Sequence, residues 1–112
     1  MLAIKAEVAK RYAELFESLG IVFVGARKGA SANYWLNAIV LNSLQERNAF
    51  LEFTNNQGMM TRPIWPLMSR LTMFQHCQHD DLANSIWMKD QVVNILFSSP
   101  DGVFSAFNRE TL

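Results

Sequence analysis

Tyr34-Trp35-Leu36-Asn37-Ala38-Ile39-Val40-Leu41, followed after Asn42 by Ser43-Leu44-Gln45-Glu46, is the stretch that decides the fold. Residues 34–41 are apolar on both alternating faces apart from Asn37, the pattern of a central strand covered on both sides. Ser43 and Glu46 stand at the capping-box spacing, where a hydroxyl satisfies an orphan amide and a carboxylate reaches back to the cap. A buried strand running directly into a capped helix predicts an alternation of strands and helices on one small sheet.

Working outward, Ile4, Val8, Tyr12, Leu15, Phe16 and Leu19 recur at intervals of three and four. Charged residues fill the gaps, so an amphipathic helix is expected, ended by Gly20. Ile21–Val24 reads as a short strand and Gly25–Ser31 as an exposed loop. The helix opened by Ser43 should bury Leu44, Phe50 and Leu51, run to about Gln57 and stop at Gly58. Met59–Thr61 reads as a strand, and Pro66 suits the first turn of a short helix that runs through Met68 to about Leu71. Asp80 or Asp81 should cap a helix over Leu82–Lys89, and Val92–Phe97 should form the last strand. Ser99-Pro100-Asp101-Gly102 is a turn signal. This order predicts an α+β domain with a small antiparallel or mixed sheet of three or four strands and helices on one face.

The chain has 112 residues, the size of one domain with a genuine core. Only 18% of residues are charged, below the usual quarter or so, while eight Phe, three Trp and six Met add large apolar bodies. That surplus predicts an apolar face left for a partner. Ten basic and ten acidic residues cancel, so no long-range field draws the chain to nucleic acid or an anionic membrane. A single cysteine, Cys77, excludes an internal disulfide and fits a reducing compartment. The first ten residues are too charged for a signal-peptide core, and no apolar run approaches the roughly 20 residues needed to span a bilayer. A soluble, cytoplasmic chain is expected.

Asn33–Leu36, Met60–Met68, Met73-Phe74 and Val92–Asn94 carry a resemblance that extends from Tyr12 to Ser99. The chain resembles the small C-terminal domain of the DegT/StrS-type sugar aminotransferases, which depend on pyridoxal phosphate. Within them it is most similar to the nucleotide-sugar 4-aminotransferases of legionaminic-type nonulosonic acid biosynthesis. The resemblance implies an aminotransferase C-terminal-like domain over 1–99 and a divergent tail over 100–112. It also implies that the cofactor-binding large domain, with its Schiff-base lysine, would lie upstream of Met1. On the substrate side it implies Arg62, Trp65, Asn33, Trp35 and Ser69. Where the family has His or Asn, this chain has Ser69; Thr72 replaces a proline. Val93–Ser99 is one residue longer than the family pattern and lacks its proline.

Pyridoxal phosphate chemistry needs an imine lysine, an acid for the pyridine nitrogen and a phosphate cup. Lys5, Lys10, Lys28 and Lys89 lie outside the family's imine motif. No catalytic residue and no cofactor are therefore assigned to this chain, although pyridoxal phosphate serves the parent family. The expected function is a free-standing, non-catalytic domain that self-associates through its former interface, around helix 1, Trp35 and Trp65. A gene remnant, a mobile-gene product and an expressed fragment all fit that description. The alternatives are one portion of a split or truncated aminotransferase completed by a separate large domain, and a small-ligand module around Arg62.

His76-Cys77-Gln78-His79-Asp80-Asp81 is the one ligand-dense cluster, but its spacing matches no structural zinc motif, and no metal is assigned. Gly25-Ala26-Arg27-Lys28-Gly29 lacks both the Walker and the dinucleotide spacing and reads as a surface turn.

Overall fold

The structure is a computed structural model that describes residues 2–95. The expected turn at 99–102, the tail and the last two residues of the final strand lie outside the described residues. The elements are α1 (Leu2–Ser18), β1 (Val22–Phe23), β2 (Asn37–Val40), α2 (Leu44–Asn56), β3 (Thr61–Pro63), α3 (Ala83–Gln91) and β4 (Val92–Ile95). Two short 3₁₀ turns, Met68–Arg70 and Thr72–Phe74, lie between β3 and α3. The fold is α+β, and the described residues form one antiparallel sheet of four strands in the order β1-β2-β4-β3.

Register assigns the faces. Ile39 lies opposite Val93 and Asn37 opposite Ile95, so these four side chains share one side. Val8, Tyr12 and Phe16 from α1 and Phe50 from α2 pack into the same cluster as Ile39, Val93 and Ile95. Both helices therefore cover one face. Arg62 lies opposite Asn94 and Val22 opposite Val40, which puts them on the other face.

Both helices end the same way. Gly20 (φ +73°) follows α1, the Ile21 amide bonds the Phe16 carbonyl at 2.8 Å and the Gly20 amide bonds Glu17 at 3.1 Å. Gly58 (φ +79°) follows α2, with Met59 bonding Thr54 at 2.9 Å and Gly58 bonding Asn55 at 3.1 Å. These are two Schellman caps, each requiring a left-handed residue that glycine adopts without a Cβ penalty. Each also turns the next apolar side chain, Ile21 or Met59, inward against the core. Ser43 caps α2 by accepting from the Glu46 amide at 3.1 Å. Among the described residues the Glu46 carboxylate does not return the bond, so half of the capping box is formed.

Several boundaries differ from the sequence expectation, each for a local reason. β2 begins at Asn37 rather than Tyr34, because Tyr34 is left-handed (φ +54°) and the Asn33 side chain accepts from the Trp35 amide at 3.0 Å. An asparagine offering its neighbour a local partner competes with the ladder. β3 spans Thr61–Pro63 because Met59 is taken by the α2 cap. The expected short helix is a pair of 3₁₀ turns broken by Leu71 in an extended conformation. Leu82, left-handed at φ +56°, occupies the cap position of α3, while Asp80 and Asp81 accept from the Leu82 and Ala83 amides at 2.8 and 3.2 Å. Ile4, Leu19 and Leu44 are exposed rather than buried. α1, with 17 residues, is about 25 Å long. A four-residue strand such as β2 covers only about 13 Å. The helix ends overhang the sheet.

Candidate functional site

Arg62 is placed by a chain of hydrogen bonds that begins inside the core. Thr54 and Thr61 are fully buried, and their hydroxyl oxygens lie 2.5 Å apart. Thr54 sits on α2, where its Oγ1 bonds the Phe50 carbonyl at 2.8 Å. A carbonyl only accepts, so the Thr54 proton goes there and the Thr61 hydroxyl must donate to Thr54. Thr61 Oγ1 in turn accepts from Asn55 Nδ2 at 3.1 Å. The Asn55 carbonyl oxygen, at the far end of the same amide, accepts from Arg62 Nη1 at 2.9 Å. Nη1 also bonds the Thr61 carbonyl at 2.8 Å. One prong of the guanidinium is thus fixed over the edge of β3, and the exposed side chain leaves its other donors toward solvent.

The cavities formed by the described residues at Trp35 and at Ser69 are two different ones, and Arg62 lines neither. Trp35, 73% exposed, borders a niche of about 20 Å³ shared with Ile4, Lys5, Tyr12 and Asn37. Asn37 is buried there, and its Oδ1 has no hydrogen-bond partner among the described residues. Ser69 lines a different cavity, of about 370 Å³, walled by Leu67, Met68, Phe74 and Leu82 with Cys77 and His79 at its polar side. Trp65 is 83% exposed. Asn33 is exposed and its carbonyl oxygen serves the Trp35 amide. β2 and β3 run in the same direction, each antiparallel to β4. Trp35 therefore precedes the sheet at one end, and Trp65 leaves it at the other.

The His76–Asp81 cluster is dispersed by its own backbone. Asp80 and Asp81 are turned to amides of α3, the His79 Nδ1 meets the Asp80 carbonyl, and His76 Nε2 lies 4.0 Å from Cys77 Sγ. Among the described residues no three His, Cys, Asp or Glu side chains come together as a ligand set. The loop at Gly25–Gly29 forms a turn closed by the Ala30 amide on the Arg27 carbonyl at 2.9 Å.

The four lysines have different settings. Lys5 borders the 20 Å³ niche, far below the roughly 300 Å³ a cofactor-sized ligand occupies. Lys89 pairs with Asp90 at 3.1 Å on α3. Lys10 and Lys28 are exposed. Among the described residues the cavity at Ser69 is lined by no lysine or arginine.

Sequence reading missed the roles of Thr54, Asn55 and Thr61. A threonine four residues after Phe50, on the inward side of a helix, is a polar residue at a core position, and that was the available signal. Comparison with protein-family models finds no match for this chain, and comparison with curated proteins finds none either. No helix among the described residues is long and apolar enough to cross a membrane.

Proposed function

We propose that this chain is a docking domain of the DegT/StrS small-lobe kind, non-catalytic by itself, that acts by self-association. The supporting observation is its uncovered apolar surface. Leu2, Ile4 and Trp35 stand exposed around the start of α1, and Trp65, Met68 and Met73 on the segment after β3. Isolated exposed apolar residues are ordinary, whereas contiguous apolar patches mark contact surfaces. The helix 1 side is the seam: it combines exposed aliphatic residues with Trp35, and a pair of copies burying about 1,200–2,000 Å² there has ordinary interface size. Sedimentation velocity and solution scattering across the micromolar range are expected to show a dimer. A monomer at high micromolar concentration removes self-association.

A second reading is favoured by Arg62. A guanidinium pinned at one nitrogen is preorganised to present its remaining donors to an anion. In this reading the domain supplies the substrate side of an active site that a separate large lobe completes, and Arg62 holds an anionic group of a nucleotide sugar. Titrating the chain with a nucleotide sugar should raise its melting temperature, by the equivalent of about 2.7 kcal/mol at a hundredfold excess over Kd. Arg62→Gln should abolish the shift. An unchanged melting temperature at millimolar ligand discards this reading.

A further inference from the structure

The two edges of the sheet are unlike. β3 carries Arg62 and Pro63, a charge and a residue without an amide proton, both of which discourage strand addition. β1, Val22–Phe23, carries neither a charge nor a proline, and among the described residues no strand pairs with its outer side. Val22 and Val24 are 61% and 48% exposed, and Phe23 between them lies on the core face.

The hydrogen-bond phase of β1 follows from one bond. Val24 donates to the Ala38 carbonyl at 2.9 Å, and Phe23 lies opposite Ile39. In an antiparallel ladder, bonded and non-bonded pairs alternate. Val22 and Val24 therefore face β2, and the main-chain N–H and C=O of Phe23 point to the open edge. The Gly25 amide and the Ile21 carbonyl point the same way. The Ile21 amide is already bonded to Phe16. Beside this edge runs a groove of about 480 Å³, bounded on the helix side by Ala13 and Glu17 and on the strand side by Gly20–Phe23 and Gly25.

We infer that β1 of a second copy pairs antiparallel with this edge across a two-fold axis at Phe23, joining two sheets into one of eight strands. The inference rests on the self-association reading and names its seam. Three observations favour a second copy over another peptide. Phe23 of each copy then exchanges both its N–H···O=C bonds with its equivalent, and Gly25 of one meets Ile21 of the other, so the open donors and acceptors match by symmetry. Val22 of each copy falls opposite Val24 of the other, pairing the exposed valines on the outer face. The antiparallel direction also carries Arg27 and Lys28 past the end of α1 in the second copy, where Glu17 borders the groove. Opposite charges meet twice, once on each side of the axis. This seam stays on the helix 1 side, where Ala13 and Glu17 border it, but moves the contact from Leu2, Ile4 and Trp35 to the β1 edge.

The test is sedimentation velocity on the full chain and on Val22→Lys/Val24→Lys. Both positions are exposed in the single copy, so circular dichroism should be unchanged. The lysines of the two copies would face each other, raising the dissociation constant about tenfold or more. Glu17→Arg should weaken the dimer, and Glu17→Arg/Arg27→Glu should restore it. The Phe23 amide should gain hydrogen-exchange protection with protein concentration. A dimer that persists in the lysine variant, or one lost instead in Trp35→Ser, overturns the β1 seam and leaves self-association standing. A monomeric wild-type chain overturns both. A monomer whose Phe23 amide is protected by an added strand peptide gives the edge to a different occupant and overturns the second-copy assignment.

Discussion

Phe16→Ala is expected to remove about 3–5 kcal/mol of folding free energy, the range for deleting a fully buried aromatic ring. Small domains hold only about 5–15 kcal/mol in total, so this one change would bring the chain close to unfolding at ambient temperature. Phe16 is 0% exposed and stacks on Tyr12 with ring centroids 6.2 Å apart and planes 22° apart. It lies on the inner stripe of α1 that meets Ile39 and Val93. The alanine variant keeps its carbonyl, so the Ile21 amide still closes the helix end, and the loss should come from the ring alone. Urea unfolding should show a lower midpoint with an unchanged slope. A loss below about 1 kcal/mol, the size of an average substitution, would mean that α1 does not pack on this sheet as described.

The second large effect lies in the buried hydroxyl pair. Thr54→Val removes the acceptor for the Thr61 hydroxyl proton inside the core, and an orphaned buried donor costs about 1–3 kcal/mol. Thr61→Val takes an acceptor from Asn55 and loosens the grip on Arg62. The double variant replaces both hydroxyls by methyl groups of similar shape, leaving no orphan between them. Its cost should fall short of the sum of the single costs, with a coupling of about 1–2 kcal/mol. Additive costs in a double-mutant cycle would falsify the direct hydroxyl–hydroxyl bond. In the same series, anion binding at Arg62 should weaken with Thr61→Val even though the arginine is intact.

What the sequence made legible is local chemistry. Gly20, Gly58 and Ser43 mark helix ends because each acts on amides or carbonyls within five residues, and all three stand where expected. The α+β class follows from the same periodicities. Tyr34 shows the limit of that reading: its side chain suits a strand, yet the Asn33 carboxamide captures the Trp35 amide and bends the chain before the ladder begins. The position of Arg62, on a strand and before a proline, was legible. Its partner Asn55 was not, because that contact exists only once the α2 cap folds β3 back along the helix. Likewise nothing in the spacing of Trp35, Arg62 and Ser69 reveals that they border separate surfaces. That depends on the strand order.

The strand order also bears on how the domain is made. β4 lies between β2 and β3 and bonds both, so during synthesis the β1–β2 pair and β3 cannot be joined into one sheet until the ribosome has passed Ile95. α1, β1 and α2 emerge early and must wait as partly formed pieces with the Val22–Val24 edge and the underside of α1 open to water. Closing the β2–β4 pair joins Asn37–Val40 to Val92–Ile95 across α2, β3 and α3, a step of high contact order and correspondingly slow. The nascent domain is thus most prone to mispairing in the interval before its last described strand arrives.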